Sequence, residues 1–553
     1  MRISNLQTSK FLGSLAFSRL AFCLISSSPD VYDETLLLRP LPDGKLHARF
    51  NFSLQSSLPT TPAHLLSVIN DTFTQSNIRL RESDLIPPSF SELIHQFSIA
   101  EFGLSLSRGR WDDTRWAKPT SVAHPIDRKP RGAQVWAWLD RPEPKASSFN
   151  ELNHDMQHAS SIDNNWAGLT NTLAGLFCAS LGQLSQPAHI TRPPPSLFPR
   201  RNQERFRTDT GEEIEAELFH GLLPLEQPCT ENLSPVLRLL PCKGHAGLSM
   251  LINPHRLFEA HWQSIAVELR KGTGDGQAGM QLELIIESVL DPEPHLRASV
   301  ICLELDWSLK STFDRSVERV CPVARSSKII VVDDPAAVVE PRAEADGLPI
   351  NGLHSFDLMK ASSYAPSLVS IERFWSGAGQ ADGRLGVEIR NNANQAIEAV
   401  YIEQLPWWIN AYIHTLTTTI DEKKADQIVI KKHITPSRAR QRPLTLSLTL
   451  RLPPKSCVRI DFEYTKSLLL YTEYASDANR GFDLPPAVLL ISKTGERFWT
   501  TAGLIYLATP DFSMPYNVII VTSTVMALFF GSVFNLLVRE FKLVKLPKQK
   551  SRG

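Results

Sequence analysis

A thiol serves as a nucleophile, a metal ligand or half of a disulfide, and of the seven cysteines in this chain Cys178 could be proposed as a nucleophile. Nucleophilic catalysis needs a base, and no recognisable one accompanies the string LAGLFCASL (173–181), so a disulfide is the stronger reading in an oxidising compartment. His154 and His158 stand four apart beside Asp155, a metal-ligand spacing on a helix, but their setting ASSFNELNHDMQHASS reads better as a solvated loop or helix face. No C-x-x-C occurs and no histidine lies near the cysteines at finger spacing, so no metal site is expected. The glycine-rich GTGDGQAG (272–279) does not open a helix after a strand, and it reads as a hairpin loop rather than a phosphate cradle. Phosphate-loop, zinc-protease and serine-hydrolase signatures are missing. The residues alone therefore build no active site and call for no cofactor.

The elements that position Cys178 begin with a predicted helix, NNWAGLTNTLAGLFCASL (164–181). Trp166, Leu169, Leu173, Leu176, Phe177, Leu181 and Leu184 gather on one stripe, and Cys178 falls about 120° from Trp166, on the flank of that stripe. A cysteine there can reach something outside its own core. A second helix is predicted at PAHLLSVINDTF (62–73), among strand-like runs at LHARFNFSL (46–54), VWAWL (135–139), QLELIIESVL (281–290) and KIIVV (328–332). Further on, LTLSLTLRL (444–452) and VRIDFEY (458–464) alternate around Pro453 and Pro454, which predicts a strand pair in an antiparallel sheet with one wet side. Similar alternation at LGVEIR (385–390) and AVYIEQ (399–404) predicts a β-sandwich between about 365 and 505. The expected fold is mainly β with some α. Two proline-rich or charged stretches, 185–205 and 333–349, read as a poorly ordered insertion and a domain boundary.

Composition narrows the class. Hydrophobic residues make up 42% of the 553, enough for real cores, and 58 basic residues balance 58 acidic ones, which removes the electrostatic footprint of a nucleic-acid binder. Residues 1–28 carry Arg2 and Lys10, then apolar runs and small Ser26 to Ser28, the order of a signal peptide. Tyr516 to Val538 hold no charge over 23 positions, enough to cross ~30 Å of hydrocarbon as a transmembrane helix. Arg539, Lys542, Lys545, Lys548, Lys550 and Arg552 follow against Glu540, so 539–553 reads as a cytosolic basic tail and the bulk of the chain as lumenal. A GPI-attachment signal would end in its hydrophobic stretch, and this one does not. Inside the span, Ser532 and Asn535 are polar groups that a neighbouring helix or ordinary tolerance near the interface would explain equally well.

A lumenal setting makes disulfides the default. With Cys23 leaving in the signal, the candidates are Cys178, Cys229, Cys242, Cys302, Cys321 and Cys457. Close spacing suggests Cys229 with Cys242 and Cys302 with Cys321, among the many pairings that six cysteines allow. N-glycosylation sequons stand at Asn51, Asn70 and Asn232, the last with Pro235 directly after it.

Long strings in co-linear order carry a resemblance. DETLLLRPLPDGKLHARFNF (33–52), RGRWDDTRW (108–116), LAGLFCASL (173–181), CTENLSPVLRLLPC (229–242), AGLSMLINPHRLFEAHWQS (246–264), EQLPWWINAYIHTL (403–416), RGFDLPPAVL (480–489) and PDFSMPYNVI (510–519) together resemble the PIG-T family of GPI transamidase subunits. The resemblance implies a non-catalytic core subunit in the endoplasmic reticulum membrane, single-pass with its bulk lumenal. Its partners would be a caspase-like catalytic subunit that it positions, the other membrane subunits, and through them GPI lipid and precursor protein. It also implies an interchain disulfide from Cys178 to the catalytic subunit, which leaves Cys457 as the expected unpaired thiol. The expected division is a lumenal β-rich domain with helices at 29–345, a linker at 346–364, a lumenal β-sandwich at 365–510 and the span at 516–538. The alternative is a lumenal glycan- or lipid-binding β-sandwich receptor.

Overall fold

The computed structural model describes residues 30–57, 85–113, 115–116, 128–140, 151–200, 216–271, 279–291, 309–331, 338–339, 367–376, 381–474, 477, 480–509 and 513–542. The signal at 1–28, the helix at 62–73, Asn70, Cys302, the linker at 346–364 and the tail beyond Lys542 lie outside them. The chain divides into two units, one within 1–467 and 483–505, the other within 468–482 and 506–553.

The first unit opens with a nine-stranded sheet. Its strands are β1 (Val31–Pro40), β2 (Leu46–Ser57), β3 (Ile99–Arg108), β4 (Gly132–Asp140), β5 (Ala216–Leu223), β6 (Trp262–Lys271), β7 (Gly279–Leu290), β8 (Ser326–Val331) and β9 (Val338–Val339). They lie in the order β5-β4-β3-β6-β7-β2-β1-β8-β9, with β1 and β8 parallel. The two-residue period of LHARFNFSL sends Ala48, Phe50, Phe52 and Leu54 to one face, where they join a core with Leu282, Leu284 and Ile286 of β7. Helices cover that face: α1 (Pro88–Phe97) supplies Phe90, Leu93, Ile94 and Phe97, and α2 (Glu151–Phe177) supplies Trp166, Leu169, Leu173 and Phe177. The two helices meet closely at Gly168, where a Cβ would fall 2.3 Å from the Phe97 ring. Beyond them, α3 (Thr230–Leu239) buries Leu233 and Val236.

Residues 367–505 add β10 (Val369–Ser376), β11 (Asp382–Asn391), β12 (Ile397–Leu405), β13 (Ile409–Ile420), β14 (Lys423–Lys424), β15 (Val429–Thr435), β16 (Leu444–Leu452), β17 (Cys457–Lys466), β18 (Val488–Ile491) and β19 (Arg497–Trp499). They form two five-stranded sheets, β10-β11-β17-β13-β14 and β15-β16-β12-β18-β19. The predicted β16–β17 pair does not exist: β16 pairs with β12 and β15, β17 with β11 and β13. Alternation revealed which face of each strand is apolar, but not its neighbour. The turn at Pro453 and Pro454 carries the chain from one sheet to the other, with Leu446, Leu448, Leu450, Val458, Ile460 and Phe462 all buried.

The predicted wet side holds for β17 and for the end of β16, where Arg451 is exposed, but not for the start of β16. Thr445 and Ser447 are buried, and Ile402 of neighbouring β12 packs in a cluster with Trp136, Trp138, Leu197, Phe198 and Trp499. Residues 185–200 help to make that cluster, a correction to their expected disorder. Prolines pre-set short 3-10 turns at 187–189 and 195–197, and the interspersed Leu197 and Phe198 dock, the Phe198 carbonyl accepting from Trp138 Nε1 at 2.9 Å. At the same junction His220 is enclosed by Gln134 (3.1 Å), Thr191 (3.3 Å) and Gln404 (3.4 Å). Burial and the charge of Arg497 push its imidazole down to about 3, so it is neutral at ordinary pH.

The sandwich holds a buried ion pair, Arg373 to Glu403 at 2.7 Å, both side chains fully enclosed. The guanidinium also donates to the carbonyls of Pro485 (2.8 Å) and Thr501 (3.0 Å), and Tyr401 donates its hydroxyl to Glu403. Burial raises the Glu403 pKa while Arg373 opposes the rise, the balance expected of a paired internal carboxylate.

In the second unit, α4 (Ser513–Val538) contains the apolar stretch Tyr516–Val538, long and apolar enough to cross a membrane and with none of it buried. The helix begins three residues before the predicted stretch and ends with it.

Candidate assembly site at Cys178

The stripe on α2 fixes where Cys178 points. Trp166, Leu169, Leu173 and Phe177 are all but fully buried, and Trp166 Nε1 donates to the Leu184 carbonyl at 2.9 Å, locking the helix against the turn that follows. Cys178, off the stripe, is exposed, and its thiol is free.

The helix ends at that residue for a specific reason. Cys178 has a φ of 51°, the left-handed region, and the N–H of Ala179 returns to the Ala174 carbonyl at 3.1 Å. This is the six-residue closure in which glycine is the usual left-handed residue. A side chain in that conformation costs about 1–2 kcal/mol. The surroundings must over-determine it, and they do.

Asn232 is the main support. Its Nδ2 donates to the carbonyls of Phe177 (2.8 Å) and Cys178 (3.0 Å), two of the acceptors that a helix end leaves unsatisfied. Its Oδ1 accepts from the Cys229 N–H at 2.7 Å, the first residue before α3. One side chain thus ties the end of α2 to the start of α3. The Ser180 N–H, two residues past Cys178, donates to the Glu226 carboxylate at 2.7 Å. The thiol is therefore carried on a braced turn rather than on a mobile loop.

This geometry argues against the glycan expected at Asn232. The residue is 1% exposed, and the nitrogen that would bear the sugar is occupied by two carbonyls. The signal that sequence reasoning missed is positional: Asn232 is the third residue of α3 and caps it from inside. Asn51 is half-buried on β2, on the face opposite the core.

The disulfide pairing also differs from the expected one. Cys242 joins Cys321, with 6.1 Å between their Cα atoms and a separation of 79 positions in sequence. Cys229 precedes and Cys242 follows α3, whose ten residues at ~1.5 Å per residue make it about 15 Å long, so the expected pair would need the chain after Leu239 to double back along the helix. The Gly247 N–H bonds the Arg319 carbonyl at 2.7 Å, bringing the loop after Cys242 beside the segment of Cys321. Among the described residues, Cys178 and Cys229 are free and exposed, and Cys457 is free and partly exposed.

The remaining candidates are dispersed. His154 and His158 fall on α2, whose predicted start at 164 the structure extends back to Glu151. Among the described residues no group of three or more His, Cys, Asp or Glu is placed to hold a metal. Ser532 and Asn535 are exposed on α4, where the Asn535 carbonyl accepts from the Arg539 N–H at 3.0 Å. A cleft of about 690 Å³ opens on the outer face of the nine-stranded sheet, lined by Arg49, Asn51, Glu268, Arg270 and Phe198 among others. Its charges are largely paired, Arg270 with Glu268 and Glu283, and Lys129 with Glu268.

Comparison with known proteins bears on the whole chain. The model of the Gpi16 family, described as the Gpi16 subunit, GPI transamidase component, matches residues 15–303 and 299–553. The chain belongs to the Gpi16 family. Its relatives include the GPI transamidase component PIG-T homolog of Schizosaccharomyces pombe, 29% identical over 95% of this chain and 93% of that one. The GPI transamidase component GPI16 of Saccharomyces cerevisiae is 28% identical over 93% of this chain and 89% of its own. The GPI-anchor transamidase component PIGT of Homo sapiens is 28% identical over 94% and 92%. Gpi16 family membership thus extends from the nine-stranded sheet through the sandwich to the apolar helix.

Proposed function

We propose that this chain is the non-catalytic core subunit of a GPI transamidase complex, holding and positioning a caspase-like catalytic subunit through a disulfide from Cys178. The observation that carries the reading is an exposed thiol on a left-handed turn that three hydrogen bonds of Asn232 brace. A braced, outward thiol is pre-organised for a partner's cysteine, because little freedom is lost when the bond forms. The reading places the bulk of the chain in the lumen of the endoplasmic reticulum, with Tyr516–Val538 as the single span and the basic residues after it in the cytosol. In that compartment the thiol–disulfide balance favours the oxidised link.

Affinity purification of the full chain from membranes, with partners identified by mass, tests the reading. The expected result is recovery of a caspase-like subunit, with transfer of GPI to a precursor peptide by the complex and none by the chain alone. Transfer by the isolated chain would refute the non-catalytic role. A second reading, a lumenal glycan- or lipid-binding receptor, draws on the cleft of about 690 Å³. It predicts saturable glycan binding by the chain in the absence of partners.

A further inference from the structure

Residues 468–471, Leu-Leu-Leu-Tyr, form an apolar run at the surface of the second unit. Leu468 is 79% exposed, Leu470 58% and Tyr471 60%, and Tyr506 in the same unit is 61% exposed. Four large apolar or amphipathic side chains held in water without cover are unusual for a surface loop. The loop is also built to keep its shape. Leu470 donates its N–H to the Glu473 carboxylate at 2.7 Å, and the Glu473 N–H returns to the Leu470 carbonyl at 2.9 Å. The one acid beside the tip is thereby turned back onto the loop's own backbone, leaving leucine and tyrosine to face outward.

What covers this tip follows from its attachment. Tyr474 donates its hydroxyl to the Ala508 carbonyl at 2.5 Å, and Ala508 stands five residues before Ser513, where α4 begins. Five residues reach at most about 18 Å, so the loop is tethered close to the start of the apolar helix. Tyrosine at such a position is the residue type enriched where hydrocarbon meets headgroups, its ring in the apolar layer and its hydroxyl in the wet one.

We propose that the 468–471 loop, with Tyr506, inserts into the interfacial layer of the bilayer that α4 spans, as a second membrane contact beside the helix. The occupant is a lipid surface, recognised by burial of leucine and tyrosine without a charge requirement. The proposal rests on α4 being a membrane span and goes beyond the assembly role. A contact of this kind fixes the tilt of the unit on the membrane, which one helix alone leaves free.

The test uses the full chain in its native microsomes, with a photo-crosslinking benzophenone amino acid placed singly at Leu470, Tyr471, Phe529 or Ile430. Phe529 lies inside the span, and Ile430 is an exposed residue of β15. Lipid adducts at Leu470 and Tyr471 comparable with those at Phe529, and their loss at Ile430, are expected. Adducts from Leu470 and Tyr471 to another polypeptide, or no adduct there while Phe529 labels lipid, would overturn the insertion alone. Failure at Phe529 as well would overturn the span and the insertion together.

Discussion

Replacing Asn232 with alanine removes three hydrogen bonds, of 2.8 and 3.0 Å to the carbonyls of Phe177 and Cys178 and of 2.7 Å from the Cys229 N–H. Each such bond contributes about 0.5–1.5 kcal/mol net, and the site is enclosed, so the expected loss is about 3 kcal/mol. Asn232→Asp is a sharper probe of the geometry. It keeps the acceptor for Cys229 but sets a carboxylate oxygen against two carbonyl oxygens in place of the donating nitrogen, which raises the cost to about 3–5 kcal/mol. Ser234→Ala is the control: Ser234 is exposed, so its loss abolishes the sequon and leaves the clamp intact. Thermal unfolding of the detergent-purified full chain should rank Ser234→Ala with the wild type, Asn232→Ala below it and Asn232→Asp lowest. Glycopeptide mapping of the wild type should find Asn232 unmodified. An unfolding midpoint for Asn232→Ala equal to that of the wild type, or a glycan on Asn232, would refute the clamp.

Other consequences are as definite. Cys178→Gly should stabilise the end of α2 by about 1 kcal/mol in the same unfolding assay, since glycine takes the left-handed conformation freely, while abolishing any covalent partner. Arg373→Met strands a buried carboxylate and should cost about 3–5 kcal/mol, with Glu403→Gln added to it restoring much of the loss in a double-mutant cycle. His220 is held neutral down to about 3 against 6.5 in the open chain, so its contribution is full above pH 6.5 and falls as the pH drops toward 3. At pH 5 that loss is about 2 kcal/mol, and His220→Gln should flatten the stability profile between pH 7 and 5 by that amount. Asn535→Leu should leave the chain in the alkali-resistant membrane pellet and weaken recovery of partners about threefold, given an average of ~0.6 kcal/mol for an interhelical hydrogen bond.

Which parts of this architecture can be read in the chain depends on the range of the physics involved. The apolar stretch Tyr516–Val538 is a local property, a run of uncharged residues, and the structure makes it one helix. The stripe of α2 is local too, and it places Cys178 off the buried face before any contact is known. Pairing is not local. LTLSLTLRL fixes which side chains form the apolar face, yet β16 pairs with β15 and with β12, some forty residues away, because the prolines cross between sheets rather than turn within one. Cys242 and Cys321 are joined across a sequence separation of 79 positions by loops whose approach no spacing announces. Asn232 carries two signals, a sequon and a helix N-terminal asparagine, and the second prevails because its side chain faces the end of α2. The proline-rich 185–200 has the composition of a linker, and only its few apolar residues, each with a place to dock, order it.

Non-reducing electrophoresis of membranes addresses the Cys178 link most directly, comparing the wild type with Cys178→Ser and, as the control for the neighbouring exposed thiol, Cys229→Ser. A heavier species containing the caspase-like subunit is expected in the wild type and in Cys229→Ser, collapsing on reduction and missing from Cys178→Ser. A band that survives in Cys178→Ser would contradict the account.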